Sequence, residues 1–194
     1  MKPVFYQKIL MPNQLNLETE RLSLREFKWK DVAKIHSLHS HPEVARYNTL
    51  GIPEDLTKTR NVVAPSIEDQ DQAERSQYAW AIWHIESQEF LGEAGLKLAP
   101  KRYRKGEVYY SLLPEHWGQG YATELLQAII SLGFEALNLH RIQAGVAVEN
   151  ERSIRLLEKV GMQREGRARK ILPLSSGWSD NFAYAILEED PRTY

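Results

Sequence analysis

The sequence predicts a mixed α/β fold: a mostly antiparallel, twisted sheet flanked by helices and containing one parallel βαβ unit. Three observations predict it. Strand-like stretches come first, at 21–27, 78–85 and 90–98. The strongest helical pattern, 120–138, then sits between two more, 107–113 and 141–148. Two closing strand-like stretches, 162–172 and 178–187, end the chain around the turn Pro173-Leu174-Ser175-Ser176-Gly177.

Each element has a local reason. Residues 1–16 read as an N-terminal arm, and 21–27 alternates apolar and polar side chains as a half-buried strand does. Asp31 caps a helix with Val32, Ile35 and Leu38 on one face, and Pro42 stops it. Residues 51–77, with Pro53 and Pro65, read as a helix and a variable loop over a binding cleft. The stretches 78–85 and 90–98 form a hairpin across a short polar turn. A basic turn, 101–106, leads into the strand ending at Pro114. In the long helix Ala122, Leu125, Ile129, Leu132 and Ala136 make one stripe, with Leu126, Ile130 and Leu137 beside it, so wide an apolar arc that burial must be deep. A last helix starts near Asn150 and closes at Gly161. No repeat or linker divides the 194 residues, which read as one domain.

Composition narrows the function. Twenty-five basic against 26 acidic residues give a net charge of -1, so no general attraction to nucleic acid or anionic lipid is expected. The cluster Lys101, Arg102, Arg104 and Lys105 reads as a solvated turn. The absence of cysteine excludes disulfides, thiolate metal sites and a cysteine nucleophile, and fits a reducing cytoplasm. The apolar run Val4-Phe5-Tyr6 is too short for a signal-peptide core, and no later run approaches a membrane span. The expected location is therefore cytoplasmic. His36, His39 and His41 suggest a metal, yet only the first two share a helical face and no further ligand completes a set, so none is expected.

Between strand and helix lies Trp117-Gly118-Gln119-Gly120-Tyr121-Ala122-Thr123. Two glycines let the backbone pass close to a bound group, and a helix start offers free N–H groups to an anion. A phosphate loop of the lysine type is excluded, because no Lys-Ser or Lys-Thr follows the second glycine. A dinucleotide fingerprint fails at Thr123, where a third glycine belongs.

Three blocks in order make the pattern specific. They are Glu18-Thr19-Glu20-Arg21-Leu22, then Trp117-Gly118-Gln119-Gly120-Tyr121-Ala122-Thr123-Glu124, then the stretch from Asn150-Glu151-Arg152-Ser153 to Gly161-Met162, with Trp178-Ser179-Asp180 near the end. Together they resemble the GNAT acetyltransferase superfamily, and in particular its Rim-type branch of ribosomal-protein N-terminal acetyltransferases. The resemblance implies a sheet splayed between its fourth and fifth strands, 107–113 and 141–148, with the pantetheine arm of acetyl-CoA in the gap. It implies that backbone groups near Leu112 and Leu113 pair with that arm. The N–H groups of Gly118, Gln119, Gly120, Tyr121, Ala122 and Thr123 then bind the pyrophosphate, and Asn150 and Ser153 lie near the pantetheine. Trp117 stands where the wider superfamily has Gln or Arg, which points to the Rim-type branch.

Without cysteine, an acetyl group moves by direct attack of a neutral amine on the thioester, which requires a base, oxyanion donors and a proton for the leaving thiolate. The resemblance makes Glu107 the first choice of base, against a purely structural carboxylate at a strand end. Glu93 is the second, because Gly92 and Gly95 leave room for a substrate beside it. Many relatives carry a tyrosine donor where Leu157 stands, so Ser153, directly or through water, is the expected replacement, with Tyr184 a distant one. Trp80, Trp178 and Tyr184 are the expected acceptor-side residues, with core packing the alternative for each. The resemblance implies a protein or peptide N-terminal α-amine as the expected acceptor, with a small amine such as an amino acid, polyamine or antibiotic as the alternative. A CoA-binding regulatory module without turnover is the alternative of another class. The chain is expected to act as a monomer or homodimer, without nucleic acid or membrane.

Overall fold

The computed structural model describes residues 7–11 and 14–192, so the run Val4-Phe5-Tyr6 lies outside the described residues. The strands are β1 (Gln7–Met11), β2 (Gln14–Glu18), β3 (Leu22–Glu26), β4 (Gln77–His84), β5 (Phe90–Leu98), β6 (Lys105–Leu112), β7 (Arg141–Ala147), β8 (Gln163–Leu174) and β9 (Gly177–Leu187). The α-helices are α1 (Val32–Ser40), α2 (Pro42–Ala45), α3 (Leu56–Glu68), α4 (Tyr121–Glu135) and α5 (Glu151–Lys159). All nine strands join one sheet in the order β1-β2-β3-β4-β5-β6-β7-β9-β8.

Residues 7–18 are the main departure from expectation. The supposed arm contributes a hairpin, β1 with β2, and β2 then pairs with β3 through Leu17↔Leu24 and Glu18↔Ser23. Leu15 and Leu17 alternate onto the inner face and are buried, which gives this segment an apolar reason to join the sheet. With two more strands at its start, the sheet opens between β6 and β7 in structural order.

The opening follows from the register. β6 and β7 run parallel, as a strand-helix-strand unit requires, but pair only through Lys105↔Arg141, Gly106↔Ile142 and Glu107↔Gln143. Beyond Glu107 the two strands part, and each keeps its other neighbour: β6 holds β5 as far as Gly92↔Leu112, and β7 holds β9 as far as Ala147↔Asn181.

Alternation along β4 assigns the two faces. Trp80 and Ile82 join the larger core with Leu96, Val108, Leu125, Ile129 and Tyr184, under α4 and α5. Ala79 and Ala81 turn the other way, toward Phe27, Val32, Ile35 and Val63 under α1 and α3. Helix α4 is buried all round from Leu125 to Gly133, as its wide apolar arc predicts. Among the described residues no helix is long and apolar enough to cross a membrane.

Candidate active site

The open ends of β6 and β7 meet a loop whose shape is set by backbone chemistry. Gly118 and Gly120 have φ of +75° and +83°, the left-handed region that a side chain disfavours. Gly120 precedes α4 and supplies no side-chain cap, so the first N–H groups of that helix face outward without a side-chain acceptor. Trp117 fixes the other side of the loop. Its indole N–H donates to the Leu112 carbonyl at 2.7 Å, and the Arg152 guanidinium lies 4.8 Å from its ring.

The first sequence block acts on this loop through Glu124 in the first turn of α4. Glu124 accepts hydrogen bonds from the Thr19 hydroxyl at 2.5 Å, the Arg21 backbone N–H at 2.8 Å and Arg21 Nε at 2.7 Å. Arg21 also donates to the Gln119 carbonyl and stacks over Tyr121. The Thr-Glu-Arg and Trp-Gly-Gln-Gly blocks are thus two halves of one clamp. Leu113 donates its N–H back to Leu91, so by strand alternation the backbone groups of Tyr110 and Leu112 point to the gap. Of these the Leu112 carbonyl is already taken by Trp117, and the Leu113 N–H is committed to β5.

Across the gap, Asn150 caps α5 by accepting the Ser153 N–H at 3.2 Å. The Ser153 hydroxyl accepts from Tyr110 of β6 at 3.1 Å, a contact that joins the two sides of the splay. Burial pushes the Tyr110 phenol up to about 12. Leu157 is packed into the core, one turn further along α5.

The opposite face carries the two carboxylates. Glu107 is exposed in the last β6–β7 pair and is reached by Gln143 Nε2 at 3.3 Å. Glu93 lies opposite Ser111 of β6 and is buried, 2.7 Å from His39 Nε2 of α1. Burial works to lower the His39 pKa, but the hydrogen bond and charge of Glu93 outweigh it and raise it. Burial, then the Glu93 charge, holds the Tyr109 phenol far above the usual tyrosine range, against a hydrogen bond with Ser66 of α3. The glycines beside Glu93 leave no room for a substrate: a Cβ on Gly95 would lie 2.3 Å from the Tyr109 ring, and one on Gly92 2.1 Å from the Ser111 carbonyl oxygen. They admit β6 instead. Next to His39 is a cavity of about 360 Å³, lined among others by Leu50, Pro53, Lys58, Thr59 and Val62. A larger open hollow, about 520 Å³, reaches Leu113 and none of the other expected site residues.

Three expected acceptor-side residues sit elsewhere. Trp80 is fully buried on the α4 face and donates its indole N–H to the Leu15 carbonyl at 2.6 Å. Tyr184 is fully buried, and its hydroxyl donates to Glu158 of α5. Both are core residues, because their strand positions alternate inward. Trp178 is 61% exposed on the β8–β9 hairpin and lines neither cavity. His36 and His39 turn to different partners, Thr59 and Glu93. His39, Tyr110 and Glu124 are the site residues that motif reading left without a role, although Glu124 ends one of the quoted blocks.

Comparison with known proteins agrees with this geometry. Residues 21–163 match the family described as the acetyltransferase (GNAT) domain. The chain is 33% identical over 172 residues to the uncharacterized N-acetyltransferase YoaA of Bacillus subtilis, covering 89% of this chain and 96% of that protein. A GNAT-family acetyltransferase structure from Bacillus anthracis superposes with a TM-score of 0.77 at 31% identity, over 90% of this chain and 99% of that one. A spermidine N-acetyltransferase from Vibrio cholerae, solved with CoA and spermine, shares the fold at a TM-score of 0.78 and 24% identity, over 87% and 96% of the two chains. With the splayed sheet, the glycine loop and the family match in agreement, the chain belongs to the GNAT acetyltransferase family and is an N-acetyltransferase that uses acetyl-CoA.

Proposed function

We propose that the protein transfers acetyl from acetyl-CoA to a primary amine by direct attack, the Rim-type features favouring the α-amine of a peptide or amino acid. The observation that carries this reading is the β6–β7 splay, which opens beyond Glu107↔Gln143 and ends at the uncapped start of α4.

In this reading the N–H groups from Gly118 to Thr123 take the pyrophosphate, with Arg152 beside them as a counter-charge. The pantetheine arm lies against the gap-facing backbone of Tyr110 and Leu112. Asn150 holds the first turn of α5 so that Ser153 faces the thioester. Ser153, donated to by Tyr110, passes a proton to the leaving thiolate, the duty that Leu157 cannot perform. Glu107 and Glu93 share the acceptor face, so proton removal from the amine belongs to that side.

The test is release of CoA thiol from acetyl-CoA across N-terminal peptides, amino-acid amides, polyamines and aminoglycosides. A primary-amine acceptor that releases CoA stoichiometrically with amide formation is the expected result. Tight acetyl-CoA binding with no acceptor in any class would instead favour a regulatory CoA-binding module.

A further inference from the structure

His39 is nearly inaccessible, yet its ring borders the α1–α3 cavity while Nε2 meets Glu93 Oε1 at 2.7 Å. An ionised carboxylate only accepts, so Nε2 carries the hydrogen and Nδ1 is left with its lone pair. That is the arrangement of an imidazole base held in one tautomer by a buried acid. Glu93 in turn lies opposite Ser111 on β6, whose other edge bounds the gap, one strand spacing or about 4.8 Å away. We infer that the cavity between α1 and α3 receives the acceptor amine, and that His39, oriented by Glu93, removes its proton. The inference rests on the acetyltransferase reading above and gives that site its base and its substrate class.

The chemistry balances as follows. The ammonium loses one proton to neutral His39 Nδ1, and the freed lone pair forms the C–N bond at the thioester carbonyl. The C–S bond then breaks with its electrons on sulfur, and the nitrogen sheds a second proton. One of the two protons ends on the CoA thiol and the other in solvent. Glu93 acts through His39 and is a positioning residue.

The lining defines the acceptor. Leu50, Pro53 and Val62 are apolar, Lys58 is cationic, and no carboxylate lines the cavity. Leu50 and Val62 of the lining are 57% and 43% exposed, so the cavity presents apolar surface to an entering side chain, and Ile52 and Leu56, close to it in the chain, are exposed as well. A polyamine brings further ammonium groups that Lys58 repels and no lining carboxylate meets. An amine with one positive charge beside an apolar group fits: an aliphatic amino-acid amide, or a peptide whose first side chain is apolar.

Glu93 on β5 faces His39 directly, with Tyr109 of β6 beside Glu93; Lys58 of α3 lines the same cavity as His39, His36 is one turn back on α1, and Glu43 of α2 is exposed. Glu93 is the group that raises the His39 pKa, so its neutralisation lowers it. The base then stays unprotonated to lower pH.

The experiment compares leucinamide, glycinamide and spermidine as acceptors for the wild type, His39→Gln, Glu93→Gln and Val62→Glu, with acetyl-CoA affinity measured for each. Leucinamide is expected to exceed spermidine in kcat/KM by at least about tenfold, and His39→Gln to lower kcat by about 100-fold with acetyl-CoA affinity kept. Glu93→Gln is expected to lower kcat and to move the acid limb of the kcat/KM profile to lower pH, a shift that a purely structural carboxylate would not cause. Val62→Glu, at a 43% exposed position of the lining, is expected to narrow the leucinamide-to-spermidine ratio with the thermal midpoint kept. A preference for spermidine in the wild type overturns the inference, as does wild-type kcat in His39→Gln or an unmoved acid limb in Glu93→Gln. If acetyl-CoA binds but no acceptor releases CoA, the acetyltransferase reading itself falls.

Discussion

At position 157 a leucine fills the core, and the hydroxyl that reaches Ser153 comes from Tyr110 on the facing strand. Its raised pKa keeps that phenol protonated throughout the working range, as a donor must be. Tyr110→Phe is therefore expected to lower kcat by about tenfold or more while leaving the dissociation constant for acetyl-CoA nearly unchanged. Unchanged kcat would remove Tyr110 from the proton path. The sequence exposes the leucine but not its replacement, because Tyr110 and Ser153 are 43 positions apart and meet only once the sheet has opened. His39 and Glu93 are separated by 54. Nothing in either residue's neighbourhood distinguishes a buried acid–base pair from a histidine on a helix face and a carboxylate between glycines.

Elements are more legible than pairs, since periodicity and turn chemistry are local. The Asn150 cap and the left-handed Gly161 lie where the sequence places them. The Trp178-Ser179-Asp180 block was legible as a motif but not as a device. Asp180 accepts from Arg167 Nε at 2.7 Å and the Lys170 N–H at 2.9 Å, spanning the stretch 168–172 where β8 slips its register on β9. Lys170 has φ of +49°, so the irregularity holds a residue in a strained backbone region. Asp180→Ala is expected to speed amide hydrogen exchange across 168–172 and to leave α4 unchanged, as read by mass spectrometry. Equal protection in both proteins would assign the slip to the strands alone. The hairpin of β1 and β2 is not legible in the sequence, because Leu15 and Leu17 acquire their meaning only beside β3.

For the whole molecule, acid stability is tied to the segment between α3 and β4. Burial alone would raise the Asp69 pKa, but bonds from the Ser76 hydroxyl and the Ser76 and Gln77 N–H groups, with Arg75 nearby, lower it overall. A carboxylate whose folded pKa is depressed contributes stability above its unfolded value of about 3.9, and loses it as pH falls through the folded value. Asp69→Asn is expected to lower the urea midpoint at pH 7 and to make progressively less difference as pH falls below the usual carboxylate range. A deficit of the same size at every pH would assign the loss to hydrogen-bond geometry instead.

The three pairs between β6 and β7 also make the sheet a pair of half-sheets on a short seam, β1 to β6 on one side and β7 to β9 on the other. Above the seam the amides of Tyr110 and Leu112 face those of Gly145 and Ala147 across a space that neither strand fills. Acetyl-CoA seated there would serve as the missing rungs, joining the halves through a non-covalent bridge that the unfolded chain cannot bind. Its affinity is then also cohesion. At 100 times the dissociation constant, the ligand is expected to stabilise the fold by about 2.7 kcal/mol, with exchange slowed first at those four amides. Saturation of the cosubstrate would thus set how firmly the two halves of the sheet are held together.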